Sequence, residues 1–272
     1  MMHLVYLTLL SPLHTGGTTQ EGNLLGIARE SHTRLPYIPS STIRGRLRAS
    51  VKDQDQKLEL FGNEIADGEQ LTQGSIWIGD GSLLWIPVPS LSHSVVWISC
   101  PLLIKRWIRI LGQEEKPQIP PEYSTNLAND NKPIYLKDAI LKGNLKPWQD
   151  WEKYIKGSDI NHVIVLPDQH CATLIQMSLW RQVKIKLDEH KTVEGGFRYE
   201  EAIPPDTLMY FPWGVTAQAN GDREKACEKF TELLQHSNIL QIGGQESLGR
   251  GFVQVTIADN QEGESDNQGG EL

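Results

Sequence analysis

Apolar positions alternate from residue 2 to 10, with Leu4, Tyr6 and Thr8 on one side of an extended chain and a Ser-Pro break after them, so a strand opens the sequence. A long loop rich in Gly, Thr and Arg follows. The period then lengthens: Ile43, Leu47 and Val51 fall on one face of a helix that starts after Ser40 or Ser41, either of which can cap it. Arg44 and Arg48, one turn apart, share the opposite, outward face. From Gly74 to Val88 a Trp/Ile/Leu pattern reads as strand, ended by Pro87 and Pro89, and Val95 to Ser99 reads as its return. Between Pro101 and Asp206 the pattern weakens to a helix at 102–112 and a polar, proline-bearing stretch at 114–134, which is insertion-like. Thr207 to Phe211 is again strand. Asp222 to His236 then sets Ala226, Phe230, Leu233 and Leu234 on one helical face, and Phe252 to Val255 alternates within a last strand at 252–257. Without the insertions the order is β-α-β-β-α-β. This predicts an α+β fold with the ferredoxin-like (RRM-like) core that RNA-recognition modules use. The expected limits are a domain over 1–257, an insertion at about 89–205 and an acidic tail at 258–272.

At 272 residues and 39% apolar content the chain can bury a sizeable core. The first ten residues lack a basic n-region and a small-residue cleavage site, and no apolar run approaches membrane-spanning length, so the expected location is cytoplasmic. Cys100, Cys171 and Cys227 lie too far apart in sequence to suggest a disulfide framework or a cysteine zinc motif. The formal charge of −8 argues at face value against nucleic acid, yet Asp259, Glu262, Glu264, Asp266 and Glu271 sit in a polar tail expected to be disordered. Arg29, Arg34, Arg44, Arg46, Arg48 and Lys52 crowd into two dozen residues, and local field governs polyanion binding more than total charge does.

The candidate chemistry begins with Gly243-Gly244-Gln245-Glu246-Ser247-Leu248-Gly249-Arg250-Gly251, read as a helix-to-strand loop whose amides can turn toward a phosphate without Cβ interference. It is no nucleotide P-loop. Arg250 and Gly251 replace the lysine and hydroxyl residue, and the loop runs from helix to strand instead of strand to helix. Arginines on the first helix suit phosphate because the guanidinium donates bidentately, although a solvated helix face explains the same spacing. Both segments converge in a β-α-β-β-α-β frame. His14, just after the first strand, could serve as acid or base, donate to phosphate, or simply cap the strand end. Trp77, Trp85 and Trp97 at strand spacing are core residues or base-stacking rings. Glu200 and Glu201 point opposite ways on an extended chain, leaving one to face a site, with a hydrated surface pair as the alternative.

These pieces, in order, resemble the RAMP superfamily of CRISPR proteins, and within it the repeated backbone subunit of the Cmr (type III-B) effector. The resemblance rests on Ser11-Pro12-Leu13-His14-Thr15-Gly16, on Ala28 to Pro39 leading into Ser41 to Arg48, and on Leu60-Phe61-Gly62. It continues through Trp85 to Ser90, Val96 to Pro101, Tyr199-Glu200-Glu201, Pro204 to Thr207 and the glycine loop. It implies guide CRISPR RNA held by Arg29, Ser41, Arg44, Arg46, Arg48, Gly243, Gly244, Gly249, Arg250 and Gly251, with base-paired target RNA, neighbouring copies of the chain and other effector subunits as partners, and no membrane. It also implies a projecting hairpin that interrupts base pairing at regular intervals.

Members of the family commonly cut the target with a divalent metal and an aspartate in the loop after the first strand. Here that position is Leu24, and no aspartate occurs from residue 1 to 52. A leucine neither ligates metal nor moves a proton, which predicts a binding subunit without efficient cleavage. The rival is a target- or precursor-cutting ribonuclease with His14, Glu21 or Glu201 as the catalytic groups, needing Mg2+ or Mn2+ where the cut is metal-dependent, whereas RNA binding itself needs no cofactor. A protein-only scaffold, with the arginines in salt bridges, is the third reading.

Overall fold

The computed structural model describes residues 2–17, 20–63, 72–111, 116–127, 132–143, 145–155, 158–217 and 222–258; the predicted tail, from 259 on, lies outside them. β1 (His3–Leu9) is followed by a small hairpin, β2 (Gln20–Glu21) and β3 (Leu24–Leu25), and by helices α1 (Ser40–Ser50) and α2 (Gln54–Phe61). Next come β4 (Ile76–Ile78), β5 (Ser82–Ser90), β6 (Ser94–Ser99) and α3 (Pro101–Ile110). Short strands β7 (Ser124–Thr125), β8 (Ile134–Leu136), β9 (Ala139–Leu141), β10 (Lys146–Pro147) and β11 (Val163–Val165) lead to α4 (Asp168–Ser178). A ribbon of β12 (Trp180–Leu187) and β13 (Val193–Ala202) precedes β14 (Leu208–Val215), α5 (Arg223–Gln235), β15 (Ile239–Gln241) and β16 (Phe252–Ile257).

The main sheet runs β10-β7-β11-β6-β5-β14-β1-β16-β15, with β4 also on β14 and the β8–β9 hairpin beside β5. β1 pairs antiparallel with β14 on one side and β16 on the other, and β14 pairs antiparallel with β5. A second sheet, β12-β13-β3-β2, carries the ribbon. The fold is a mixed α/β one, built on a sheet covered on both faces. Val5, Leu7 and Leu9 pack with Ile43 and Leu47 of α1 and Phe230 and Leu234 of α5. Leu4 and Tyr6 join Trp85, Tyr210, Trp107 of α3, Tyr154 and Val163 on the other face. The alternation of β1 therefore separates two cores, and the segment expected to be an insertion supplies half of the second.

Several local expectations are corrected. The strand expected over 74–88 is two, because Gly79 and Gly81 interrupt it where a Cβ would meet the Pro212 ring at 2.7 Å and Ile38 at 2.9 Å. Pro87 and Pro89 lie inside β5. The Pro89 carbonyl faces Lys137, so the proline nitrogens face away from β6, whose ladder loses nothing. No serine side chain caps α1: its N-cap is Pro39, and the Ser40 amide donates to Asp80 Oδ1 at 2.6 Å. β15 separates α5 from the glycine loop and pairs antiparallel with β16, so that loop joins two strands. Trp85 is fully buried, with Nε1 donating to the Tyr154 carbonyl at 2.7 Å; Trp97 Nε1 donates to the Asp206 carbonyl at 2.8 Å and Trp77 lies against Gly214. These tryptophans are structural. Cys100 and Cys171 are buried and Cys227 is half-buried, all as thiols.

Phe230 joins α5 to the sheet, its ring 4.6 Å from that of Trp213 and 6.1 Å from that of Phe61. Phe230→Ala is expected to lower stability by about 3–5 kcal/mol, read as a reduced urea midpoint with an unchanged slope.

Candidate functional site

Three segments enclose a groove of about 410 Å³: His14, Thr15 and Gly16 after β1, Ser41, Thr42, Gly45 and Arg46 at the start of α1, and Gln241, Gly243 and Gly244 from the glycine loop. The backbone fixes their approach. Gly244 N–H donates to the His14 carbonyl at 3.0 Å, Gly251 N–H to the Pro12 carbonyl at 3.0 Å, and Ala28 N–H to Thr15 Oγ1 at 3.0 Å. Gly243 has φ +81° and an added Cβ would stand 2.4 Å from the His14 carbonyl oxygen, so no other residue fits there. Gly45 leaves its side of α1 open. Arg46 brings a cation whose Nε is buried without a protein partner among the described residues. The His14 ring donates from Nδ1 to the Glu201 carbonyl at 2.9 Å, because a carbonyl can only accept, so Nε2 is the acceptor whenever the ring is neutral. The groove thus offers a cation, hydroxyls and one imidazole, and among the described residues no carboxylate lines it.

Beside the groove lies a buried charge network at the root of the β12–β13 ribbon. Glu200 and Glu201 do face opposite ways, but neither is a hydrated surface group. The Glu201 side chain is 1% exposed and sits between Arg29 and Arg181, the latter at 3.2 Å. Arg29 also donates to the Gln176 side chain and to the Arg34 carbonyl. Glu200 accepts from Lys184 at 2.7 Å and from Gln245 at 3.0 Å. Burial pushes the Glu200 carboxyl up, but hydrogen bonds from Lys184 and Gln245 and the charges of Lys184 and Arg250 outweigh it and hold the group below the usual carboxylate range.

The predicted site residues therefore separate. His14, Ser41, Arg46, Gly243 and Gly244 meet in the groove. Arg44, expected on an outward face, turns inward: it donates to the Phe61 and Ile76 carbonyls and lies 5.4 Å over the Phe61 ring, tying α1 to α2 and β4. Burial, then the neighbouring Arg48 charge, lowers its pKa. Arg48 is half-buried near the end of α1. Arg250 is also withdrawn, 6% exposed, 4.1 Å over the Trp180 ring and donating to Gln182 Oε1 at 2.6 Å. Gly249 closes a short turn with φ +71°, and Gly251, where a Cβ would meet the Ile242 carbonyl at 1.9 Å, serves close packing. Glu21 stands in β2, opposite Leu24. Leu24 is half-buried in β3, paired with Tyr199. Thr15, Gly16, Thr42, Gly45 and Gln241 were not singled out from sequence; a glycine within a helix, costing about 1 kcal/mol against alanine, was the available signal for Gly45. Among the described residues no three His, Cys, Asp or Glu side chains gather as a metal site, and no described helix is long and apolar enough to cross a membrane.

A sequence model of the RAMP superfamily matches residues 6–254. The CRISPR system Cmr endoribonuclease Cmr4 of Pyrococcus furiosus is 32% identical over 94% of this chain and 96% of its own length. A crystal structure of oligomeric Cmr4 from the same organism superposes with a TM-score of 0.69 at 26% identity, covering 95% of this chain and 99% of that one. A type III-B Cmr-beta assembly in its apo state contains a chain with a TM-score of 0.78 at 19% identity, covering 96% and 98%.

The Glu200 contacts make a pH-dependent contribution to stability. Its folded pKa lies below the unfolded one, so the contribution is complete above the unfolded carboxylate range and is lost as pH falls through the folded value. Glu200→Gln should be about 1–3 kcal/mol less stable than the unmodified protein at neutral pH, with the difference shrinking on acidification, as followed by urea unfolding across pH.

Proposed function

The chain belongs to the RAMP superfamily, and from that premise we propose that it is a CRISPR RNA-binding backbone subunit of a type III-B effector complex in antiviral defence, holding guide RNA and target RNA among other copies of itself and other subunits. The observation that carries this reading is the groove. Phosphate oxygens suit the Arg46 guanidinium and the hydroxyls of Ser41 and Thr42, and Gly45, Gly243 and Gly244 let a ribose-phosphate chain come close. The His14 Nε2 acceptor suits the 2′-hydroxyl that distinguishes RNA from DNA. RNA binding of this kind requires no cofactor.

The strand order β16-β1-β14-β5, antiparallel throughout, with α1 and α5 packed on one face, supports a ferredoxin-like core. On that reading the region at about 89–205 is an insertion integrated into the sheet. A subunit that holds guide RNA and target RNA fits a cytoplasmic location.

The second reading, target cleavage at regular intervals with Mg2+ or Mn2+, draws on the name of the Pyrococcus furiosus relative. Among the described side chains none is placed to fit such a metal. Leu24 has no ligand atom, Glu201 is held by two arginines, Glu200 is held by Lys184 and Gln245, and among the described residues no carboxylate lines the groove. Metal-free cleavage by His14 lacks a second acid or base among the groove residues. His14 is better read as holding ribose.

Arg46→Glu should weaken binding of unrelated single-stranded RNAs alike and reduce the salt slope by roughly one phosphate contact, measured by titration at several salt concentrations. Unchanged affinity in a folded variant would sink the groove assignment. In the assembled complex with matched target and magnesium or manganese, this subunit should make no cut, and Leu24→Asp should be the change that permits one. Rapid regular cutting by the unmodified subunit, lost on His14→Ala or Glu21→Ala, would establish the ribonuclease reading instead.

A further inference from the structure

The turn between β5 and β6 carries His93, and His162 immediately precedes β11, the strand that pairs in parallel with β6. Both residues are half-buried; their rings cross at 71° with centroids 5.7 Å apart. The backbone fixes each of them: Val95 N–H donates to the His93 carbonyl and Trp97 N–H to the His162 carbonyl, both at 2.7 Å. Hydrogen bonds set the tautomers as well. The Ser90 hydroxyl donates to the Tyr135 carbonyl at 2.8 Å, so its oxygen accepts from Ser92 at 3.3 Å, and the Ser92 oxygen in turn accepts from His93 Nδ1 at 2.8 Å. His162 Nδ1 donates to the Val95 carbonyl at 3.3 Å, since a carbonyl can only accept. In both neutral rings the lone pair therefore stands on Nε2, and neither Nε2 has a hydrogen-bond partner among the described residues.

We propose that His93 and His162 form a two-imidazole site for a divalent transition ion of the Zn2+ and Cu2+ class, bound through both Nε2 atoms with water in the remaining positions. Metal–nitrogen bonds of about 2.0–2.1 Å hold two imidazoles on one ion with ring centroids roughly 5–6 Å apart, the spacing that this pair already has. An Nδ1–H engaged by a carbonyl or hydroxyl is the outer support that orients a ligating imidazole and raises its basicity, and both rings have one. Burial, then the neighbouring His162, lowers the His93 pKa, so protons compete little for that lone pair. Imidazole selects Zn2+, Ni2+ and Cu2+, whereas Mg2+ and Mn2+ prefer oxygen, so this is a different kind of site from a cleavage centre. It is also remote from the groove. β5 begins beside the Gly81–Ile38 bridge that leads into α1 and runs nine residues, roughly 30 Å, before it reaches the turn that carries His93. An ion held there ties that turn to the start of β11 and, bound by the folded chain alone, stabilises it.

The test uses the full-length chain without a polyhistidine tag, stripped with a chelator and titrated calorimetrically with Zn2+, Cu2+ and Mg2+ in turn. One equivalent of Zn2+ should bind, Cu2+ should bind more tightly, and Mg2+ should not bind. Ser92→Ala, which removes only the support of His93, should weaken Zn2+ binding by roughly tenfold, and His93→Ala and His162→Ala should each weaken it by more than that. Metal-free melting curves report whether each variant folds. The electron paramagnetic resonance spectrum of the Cu2+ form should show two coupled imidazole nitrogens, a readout on the unmodified chain that decides the matter even where a variant does not fold. Failure to bind either Zn2+ or Cu2+, or a spectrum with one nitrogen, would overturn the site. Zn2+ affinity unchanged in folded His93→Ala or His162→Ala would overturn it too and assign the ion elsewhere, with Cys227 Sγ and His3 Nε2, 3.6 Å apart, as the next pair to remove.

Discussion

The buried Glu201 carboxylate is the joint on which the functional half of the molecule depends. Arg29 brings the loop before α1 to it, Arg181 brings β12, and its own carbonyl orients His14 after β1. Removing one partner of a buried charge pair leaves the other uncompensated, which is far costlier than never having built the pair. The same joint fixes the groove wall, the entry loop and the root of the ribbon. Its neighbour Glu200 repeats the device on the opposite face, where it pairs with Lys184 within the ribbon and accepts from Gln245, which attaches the ribbon to the glycine loop. Acids that look catalytic in isolation are here the anchors that position other groups.

This division of labour also explains the arginines. A cation meant for RNA must face it, and Arg46, which lines the groove, does. Arg44, Arg29 and Arg250 have turned toward carbonyls, carboxylates, amides or rings of the protein. The basic cluster is therefore partly internal scaffolding, and its field at the groove is weaker than the count of arginines suggests.

Much of the central fold was legible because periodicity reports burial: the strand and helix signals at β1, α1, α5 and β16 match the observed elements closely. The chain pattern could not reveal that β1 is covered on both faces, since alternation does not show that α3 brings Trp107 against Leu4 and Tyr6. β15, three residues long, is too short for any period to register. At the site, His14, Ser41, Arg46, Gly243 and Gly244 were readable from residue type. The fates of Arg44, Arg250 and Glu201 were not, because each is decided by a partner distant in sequence, such as Ile76, Trp180 or Arg29.

The position of β1 between β14 and β16 governs how the protein is made. Its hydrogen-bonding partners are β14 and β16, at residues 208–215 and 252–257, so the first strand to leave the ribosome waits for nearly the last. At about 5–20 residues per second, that is a wait of roughly ten to fifty seconds with an apolar strand unpaired on both edges. Closing so long a loop is also entropically slow. Biogenesis of this chain is accordingly the stage at which it is most exposed to aggregation, and expression should respond to chaperone supply more strongly than the stability of the finished fold would suggest.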